Sequence, residues 1–122
     1  MMNPFLQVAM GGAAGSVARY GVNRAAMAVF GPGFPVATLI VNVAGSFLMG
    51  LLVALLAQRG NDWSPLLMTG LLGGFTTFSA FSLDAVSLWT RGQHATAVAY
   101  VAASVALSLA ALVAGIALGR AA

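Results

Sequence analysis

Residues 70–82 read Gly-Leu-Leu-Gly-Gly-Phe-Thr-Thr-Phe-Ser-Ala-Phe-Ser, and they are the most informative part of the sequence. It lies in the middle of an apolar segment that is flanked by Trp63 and Trp89. A helix joining these residues would be roughly 39 Å long at about 1.5 Å per residue, close to the thickness of a bilayer with its headgroups. We therefore expect the two Trp side chains in opposite interfacial belts, and Thr76 and Thr77 near the midplane.

The glycines and hydroxyls of this stretch disfavour a continuous helix. A glycine inside a helix costs about 1 kcal/mol relative to alanine, and hydroxyl groups need partners that hydrocarbon does not supply. Irregular backbone is tolerated at this depth only where it is buried in protein or lines a wet cavity. The pattern therefore predicts a membrane helix that is broken at its middle, and residues 70–82 are the candidate functional segment.

The composition is that of a membrane protein. Of 122 residues, 61% are hydrophobic and only 6% are charged, whereas about a quarter are charged in typical soluble domains. The formal net charge of +3 is not concentrated in a basic cluster, so no nucleic-acid partner is indicated. The absence of Cys excludes disulfides and thiolate chemistry.

Apolar runs separated by short polar or Pro/Gly-rich connections divide the chain into four predicted spans within one domain, residues 1–122. The spans cover about residues 4–30, 36–57, 65–89 and 95–119. The predicted fold class is an all-α membrane protein with four transmembrane helices, the third broken at its middle. The short connections also predict that consecutive helices lie antiparallel and adjacent.

Small residues recur at steps of four along these spans, as in Gly11 with Gly15, Ser46 with Gly50, Gly70 with Gly74, and Ala111 with Gly115 and Gly119. Such spacing lets membrane helices approach closely. Packing within the chain and packing between subunits both remain open. Four thin helices enclose little interior, so a transporting protein of this size is expected to oligomerise.

The arginines give no preferred orientation in the membrane. With four spans, Arg59 and Arg120 lie on one side, and Arg91 and Arg24 lie on the other. The positive-inside rule then favours neither orientation, which permits an antiparallel homodimer with its two-fold axis in the membrane plane. A single orientation set by weak local cues is the alternative.

Two polar residues inside the spans need partners. The amide of Asn42 must either join a neighbouring helix or line a water-filled path. Arg19 costs at least about 2.5 kcal/mol inside a span unless it reaches an interface or lines a cavity, where it would attract anions.

Aromatic and hydroxyl side chains form two further stripes. Phe78 and Phe81 share one helix face, either as packing or as ring edges whose positive charge faces an anion. Tyr100, Ser104 and Ser108 form a polar stripe on the fourth span, although Ser hydroxyls can also bond their own helix backbone.

The missing residue types exclude several classes of function. The acids are Asp62 in a loop and Asp84 near the end of the third span, so a proton-coupled multidrug exporter lacks its mid-membrane carboxylate. No nucleophilic or metal-ligand pattern indicates an enzyme. Carbonyls freed at a helix break can ligate a small cation, while donors and an intramembrane Arg favour an anion path. The residues thus indicate a small-ion channel selective for anions, with a purely structural membrane subunit as the alternative.

Over essentially its whole length the chain resembles the Fluc (CrcB) family of bacterial fluoride channels. Three motifs in order carry the resemblance: Gly11-Gly12 with Gly15, Arg19 and Tyr20; Asn42 with Gly45, Ser46, Phe47 and Gly50; and residues 70–82 with their Gly-Gly-x-Thr-Thr-Phe-Ser core. One departure is Ala80, where a hydroxyl often stands in the family.

The resemblance implies passive export of fluoride from the cytoplasm through the bacterial inner membrane, which relieves fluoride toxicity. The driving gradient would arise when HF enters and dissociates in a more alkaline cytoplasm. It further implies an antiparallel dual-topology homodimer with two fluoride pathways. A structural Na⁺ on the dimer axis would be held by main-chain carbonyls of Gly73 and Thr76 from both subunits.

The resemblance also assigns pathway residues. Phe78 and Phe81 match the pore phenylalanines, Asn42 the pore-lining amide, and Arg19 the residue that draws anions into the vestibule. The polar track of the fourth helix is a looser match, at Tyr100, Ser104 and Ser108.

Overall fold

The computed structural model describes residues 2–122, which are helical throughout except for short connections and contain no β-strand. The elements in chain order are α1 (Pro4–Phe30), α2 (Val36–Arg59), a π-helical segment (Pro65–Leu72), α3 (Gly73–Phe75), α4 (Phe78–Thr90) and α5 (His94–Ala121). The all-α prediction is confirmed. We call Pro65–Thr90 the broken helix, because these elements follow one another along a single predicted span.

Three helical segments are long and apolar enough to cross a membrane: Val36–Arg59, Pro65–Thr90 and His94–Ala121. Length and composition therefore make the chain a multi-pass membrane protein. Helix α1 is 27 residues long, but it carries two Arg residues and two amides. The count of four spans stays a prediction.

Glycines set which helices pack together. Helix α2 makes its most extensive contact with α5, and α1 with the π-helical segment. A Cβ added at Gly115 would lie 2.8 Å from the Leu51 nitrogen, and one added at Gly15 would lie 2.9 Å from the Phe75 nitrogen. These small residues therefore pack within the chain, a choice that the sequence left open.

Consecutive helices are in contact, but their contacts are less extensive than those of α2 with α5 and of α1 with the π-helical segment. Helices α1 and α2 touch only sparsely, although a short turn joins them. The physical reason is that a short connection limits the distance between helix ends, whereas close approach along a helix depends on facing small residues.

The broken helix departs from α-helical geometry twice. Its first two turns are π-helical, and Thr76 and Thr77 then adopt extended conformations, with φ and ψ of −87° and 159° for Thr76 and −152° and 121° for Thr77. We call these two residues the break. Its position agrees with the sequence prediction, whereas the π-helical turns before it were not predicted.

Candidate functional site

Asn42 holds the break from the neighbouring helix α2. Its Nδ2 donates to the Thr77 carbonyl at 3.0 Å, and its Oδ1 accepts the Thr77 N–H at 2.8 Å. One amide thus satisfies both backbone groups of an extended residue. Because Nδ2 carries two hydrogens, a second N–H remains for another partner.

Two main-chain carbonyls at the break lose their helical donors. In a continuous α-helix, the Gly73 carbonyl would accept from the Thr77 N–H and the Thr76 carbonyl from the Ala80 N–H. The Thr77 N–H instead donates to Asn42, and the Ala80 N–H donates to Thr77 Oγ1 at 3.2 Å. Both carbonyl oxygens are therefore open to another partner, and such oxygens suit a hard cation such as Na⁺.

The carbonyl of Gly74 also lacks its helical donor, but it has another partner. Gly74 accepts a hydrogen bond from Arg19 Nε at 3.0 Å. Within residues 2–122, no group of three His, Cys, Asp or Glu side chains is placed to hold a metal. The carbonyls of Gly73 and Thr76 thus lie at the break without their helical donors.

A cleft of about 380 Å³ lies beside the break, between α2, α4 and α5. Its wall brings together five of the predicted pathway residues and both residues of the break: Asn42, Phe78, Phe81, Ser104, Ser108, Thr76 and Thr77. Phe78 is 78% exposed, so the cleft opens sideways on the surface of the chain.

The cleft contains an unpartnered hydroxyl. Ser104 is buried, and its Oγ makes no hydrogen bond to any other group of residues 2–122. The alternative that this Ser bonds its own helix backbone is therefore wrong. A buried hydroxyl without a partner is costly.

Arg19 lies in a second space of about 390 Å³, which we call the Arg19 cavity. Asp84 and Thr38 also line it, and Thr77 lies on the wall of both this cavity and the cleft. The half-buried guanidinium of Arg19 thus bonds the Gly74 carbonyl and supplies positive charge next to the break.

Tyr100 is fully buried behind Phe81 and does not line the cleft. The two ring centroids are 5.4 Å apart, and Tyr100 Oη donates to Asp84 Oδ2 at 3.2 Å. On its other side, Tyr100 meets the Phe34 ring edge-on at 5.5 Å. Through its bond to Asp84, which lines the Arg19 cavity, Tyr100 is connected to that cavity and not to the cleft.

Sequence reasoning missed Asp84 and Phe34 as neighbours of the site. A signal existed for Asp84, since it stands three residues after Phe81 and so on the same face of the helix. Phe34 lies in a turn, and its contact with Tyr100 joins residues that no local pattern relates.

These features define a multi-pass helical membrane protein with a discontinuous helix, whose break lies between the cleft and the Arg19 cavity. Residues 6–116 match the family described as CrcB-like protein, Camphor Resistance (CrcB). The chain belongs to this family, as its three motifs predict.

Named relatives match nearly the whole chain. A protein of Cereibacter sphaeroides named Fluoride-specific ion channel FluC is 63% identical over 120 residues, which cover 98% of this chain and 97% of the relative. A protein of the same name from Paracoccus denitrificans is 61% identical over 121 residues, with coverage of 98% and 97%. One from Caulobacter vibrioides is 52% identical over 123 residues, again with coverage of 98% and 97%.

Proposed function

We propose that this chain is a passive, fluoride-selective ion channel that exports F⁻ from the bacterial cytoplasm and relieves fluoride toxicity. The observation that carries the proposal is its 63% identity, over nearly its full length, to a relative named as a fluoride-specific ion channel. The function is that of a channel rather than an enzyme. Its setting would be the inner membrane, where HF entry and dissociation supply the outward fluoride gradient.

The cleft offers what a small dehydrated anion needs. Fluoride holds its water strongly, so a pore must replace those hydrogen bonds with its own donors. The spare N–H of Asn42, the unpartnered hydroxyl of Ser104 and the hydroxyl of Ser108 are such donors. The ring edges of Phe78 and Phe81 carry partial positive charge, and they would supply further contacts to the anion.

The Arg19 cavity would gather anions before they reach the break. Its guanidinium is anchored by the Gly74 carbonyl, and Thr77 separates this cavity from the cleft. Tyr100 would contribute where its hydroxyl meets Asp84 on the cavity wall. A fixed positive charge in a space of low dielectric raises the local anion concentration.

A second copy of the chain would cover the cleft. The cleft opens sideways and carries an amide and hydroxyl groups among its apolar side chains. Such polar groups are poorly suited to contact with hydrocarbon, and Phe78 at the cleft is largely exposed. We propose an antiparallel dual-topology homodimer, in agreement with the balanced arginines. Each copy would contribute one cleft, giving two fluoride pathways.

A Na⁺ ion on the dimer axis is part of the proposal. The Gly73 and Thr76 carbonyls would hold it, two from each copy, and their lost helical donors support this assignment. When bound, the cation would connect the broken helices of the two copies through their shared carbonyl ligands, and it would supply positive charge there.

The test is fluoride efflux from liposomes. Purified protein is reconstituted into liposomes loaded with KF, valinomycin is added, and external fluoride is followed with an electrode. We expect rapid release of fluoride, and no chloride release from KCl-loaded liposomes. Folded protein that releases no fluoride would reject the channel and favour a structural membrane subunit.

A further inference from the structure

Four aromatic rings form a row from the α1–α2 turn to the cleft. The centroid distances are 5.5 Å from Phe34 to Tyr100, 5.4 Å from Tyr100 to Phe81, and 5.5 Å from Phe81 to Phe78. The row begins outside the apolar spans and ends on the cleft wall. It therefore connects an interfacial turn with the candidate anion contacts.

Tyr100, at the middle of this row, is fully enclosed. Tyr100 is 0% exposed and packs with Leu88 and Ala97, which are also buried. Its hydroxyl is held by Asp84. In an interior packed this closely, a ring cannot tilt without moving its neighbours.

The outer end of the row is set by a rigid turn. Gly31 has a positive φ of 76°, and Pro32 and Pro35 restrict the backbone further. The Val36 N–H donates to the Phe34 carbonyl at 2.8 Å. The turn thus presents the Phe34 ring edge-on to Tyr100, at an interplanar angle of 88°.

We propose that Phe34 is a positioning residue for the fluoride pathway, an inference that rests on the proposed function. Phe34 sets the tilt of Tyr100, and Tyr100 in turn sets the orientation of the Phe81 ring edge in the cleft. Phe34 itself does not line the cleft. Its effect on conduction is transmitted by ring packing alone.

The first measurement is fluoride efflux per folded protein. We expect Phe34→Leu to slow release about fivefold. An aromatic pair contributes about 1 kcal/mol, and a change of that size in an activation barrier corresponds to about a fivefold change in rate. Phe34→Tyr keeps the aromatic edge and should release fluoride at the unsubstituted rate. Phe30→Leu is the matched control, because Phe30 is 62% exposed at the end of α1 and takes no part in the row.

The second measurement reports the Phe81 ring directly. With 4-fluorophenylalanine incorporated at position 81, Phe34→Leu should shift the fluorine resonance, while Phe30→Leu should leave it in place. A change of stability alone would not move this resonance in the folded protein.

The possible results distinguish a failure of the proposed Phe34 role from a failure of the proposed channel function. Unchanged efflux in Phe34→Leu overturns the inference and leaves the channel intact. Slower efflux with an unmoved resonance also overturns it, since Phe34 would then act without displacing Phe81. An unsubstituted protein that releases no fluoride rejects the proposed function itself, and the role of Phe34 falls with it.

Discussion

Asn42 combines two roles that the sequence kept apart. The sequence predicts either a contact between helices or an amide that lines a path, and in the structure Asn42 both bonds Thr77 and lies on the cleft wall. Since the clamp uses one oxygen and one N–H, the other N–H can serve the path. The two interpretations are therefore compatible.

Removing the Asn42 amide should destabilise the fold. Asn42→Ala leaves the Thr77 N–H and carbonyl without partners, and each unsatisfied buried group costs about 1–3 kcal/mol. Thermal unfolding of the purified protein should show a lower Tm. Asn61→Ala, in an exposed loop, is the control, and an equal Tm for both variants would contradict the clamp.

Phe81→Ile tests the ring edge. Ile retains apolar bulk but lacks the positive edge that we propose faces fluoride, so conduction should be abolished while the protein stays folded. Efflux from liposomes measures the loss, and Phe5→Ile, at a residue 87% exposed on α1, is the comparison. Unchanged efflux in Phe81→Ile would remove the ring-edge role.

At the scale of elements, the break was predictable and its surroundings were not. Paired glycines and hydroxyls near Thr76 disfavour a continuous helix in hydrocarbon, and this effect depends on the local sequence alone. A π-helical turn has no comparable residue signature. Within it, Gly70 lies close to α1, since a Cβ added at Gly70 would be 3.0 Å from the Gly11 Cα. That contact, like the bond from Asn42 to Thr77, joins distant parts of the chain.

Close packing between α2 and α5 makes Gly115 sensitive to a single methyl group. In Gly115→Ala the Cβ would lie 2.8 Å from the Leu51 nitrogen, and such overpacking typically costs about 1–3 kcal/mol. Gly21→Ala is the matched control, since nothing lies within 4 Å of its added Cβ. Unfolding should occur at a lower temperature for Gly115→Ala only, and equal temperatures would argue against the tight contact.

At the scale of the whole molecule, the balanced arginines lead to a topology prediction. Reporter fusions at the C-terminus should be found on both sides of the membrane, because neither side carries an excess of positive charge. Adding two arginines to one side of the membrane, with Gln58→Arg at the end of α2 and Asn61→Arg in the following loop, should shift the reporters to a single side. A single location for the unsubstituted chain would contradict dual topology.

The sideways opening of the cleft has a consequence for biosynthesis. If the chain forms the proposed homodimer, a newly inserted copy presents hydroxyls and an amide to lipid until its partner covers them, and such exposure is unfavourable. Solitary chains should therefore be short-lived and open to membrane proteases. Since pairing depends on encounters between two chains, the amount of mature protein should rise more steeply than in proportion to its rate of synthesis, so weak expression would yield disproportionately little of it.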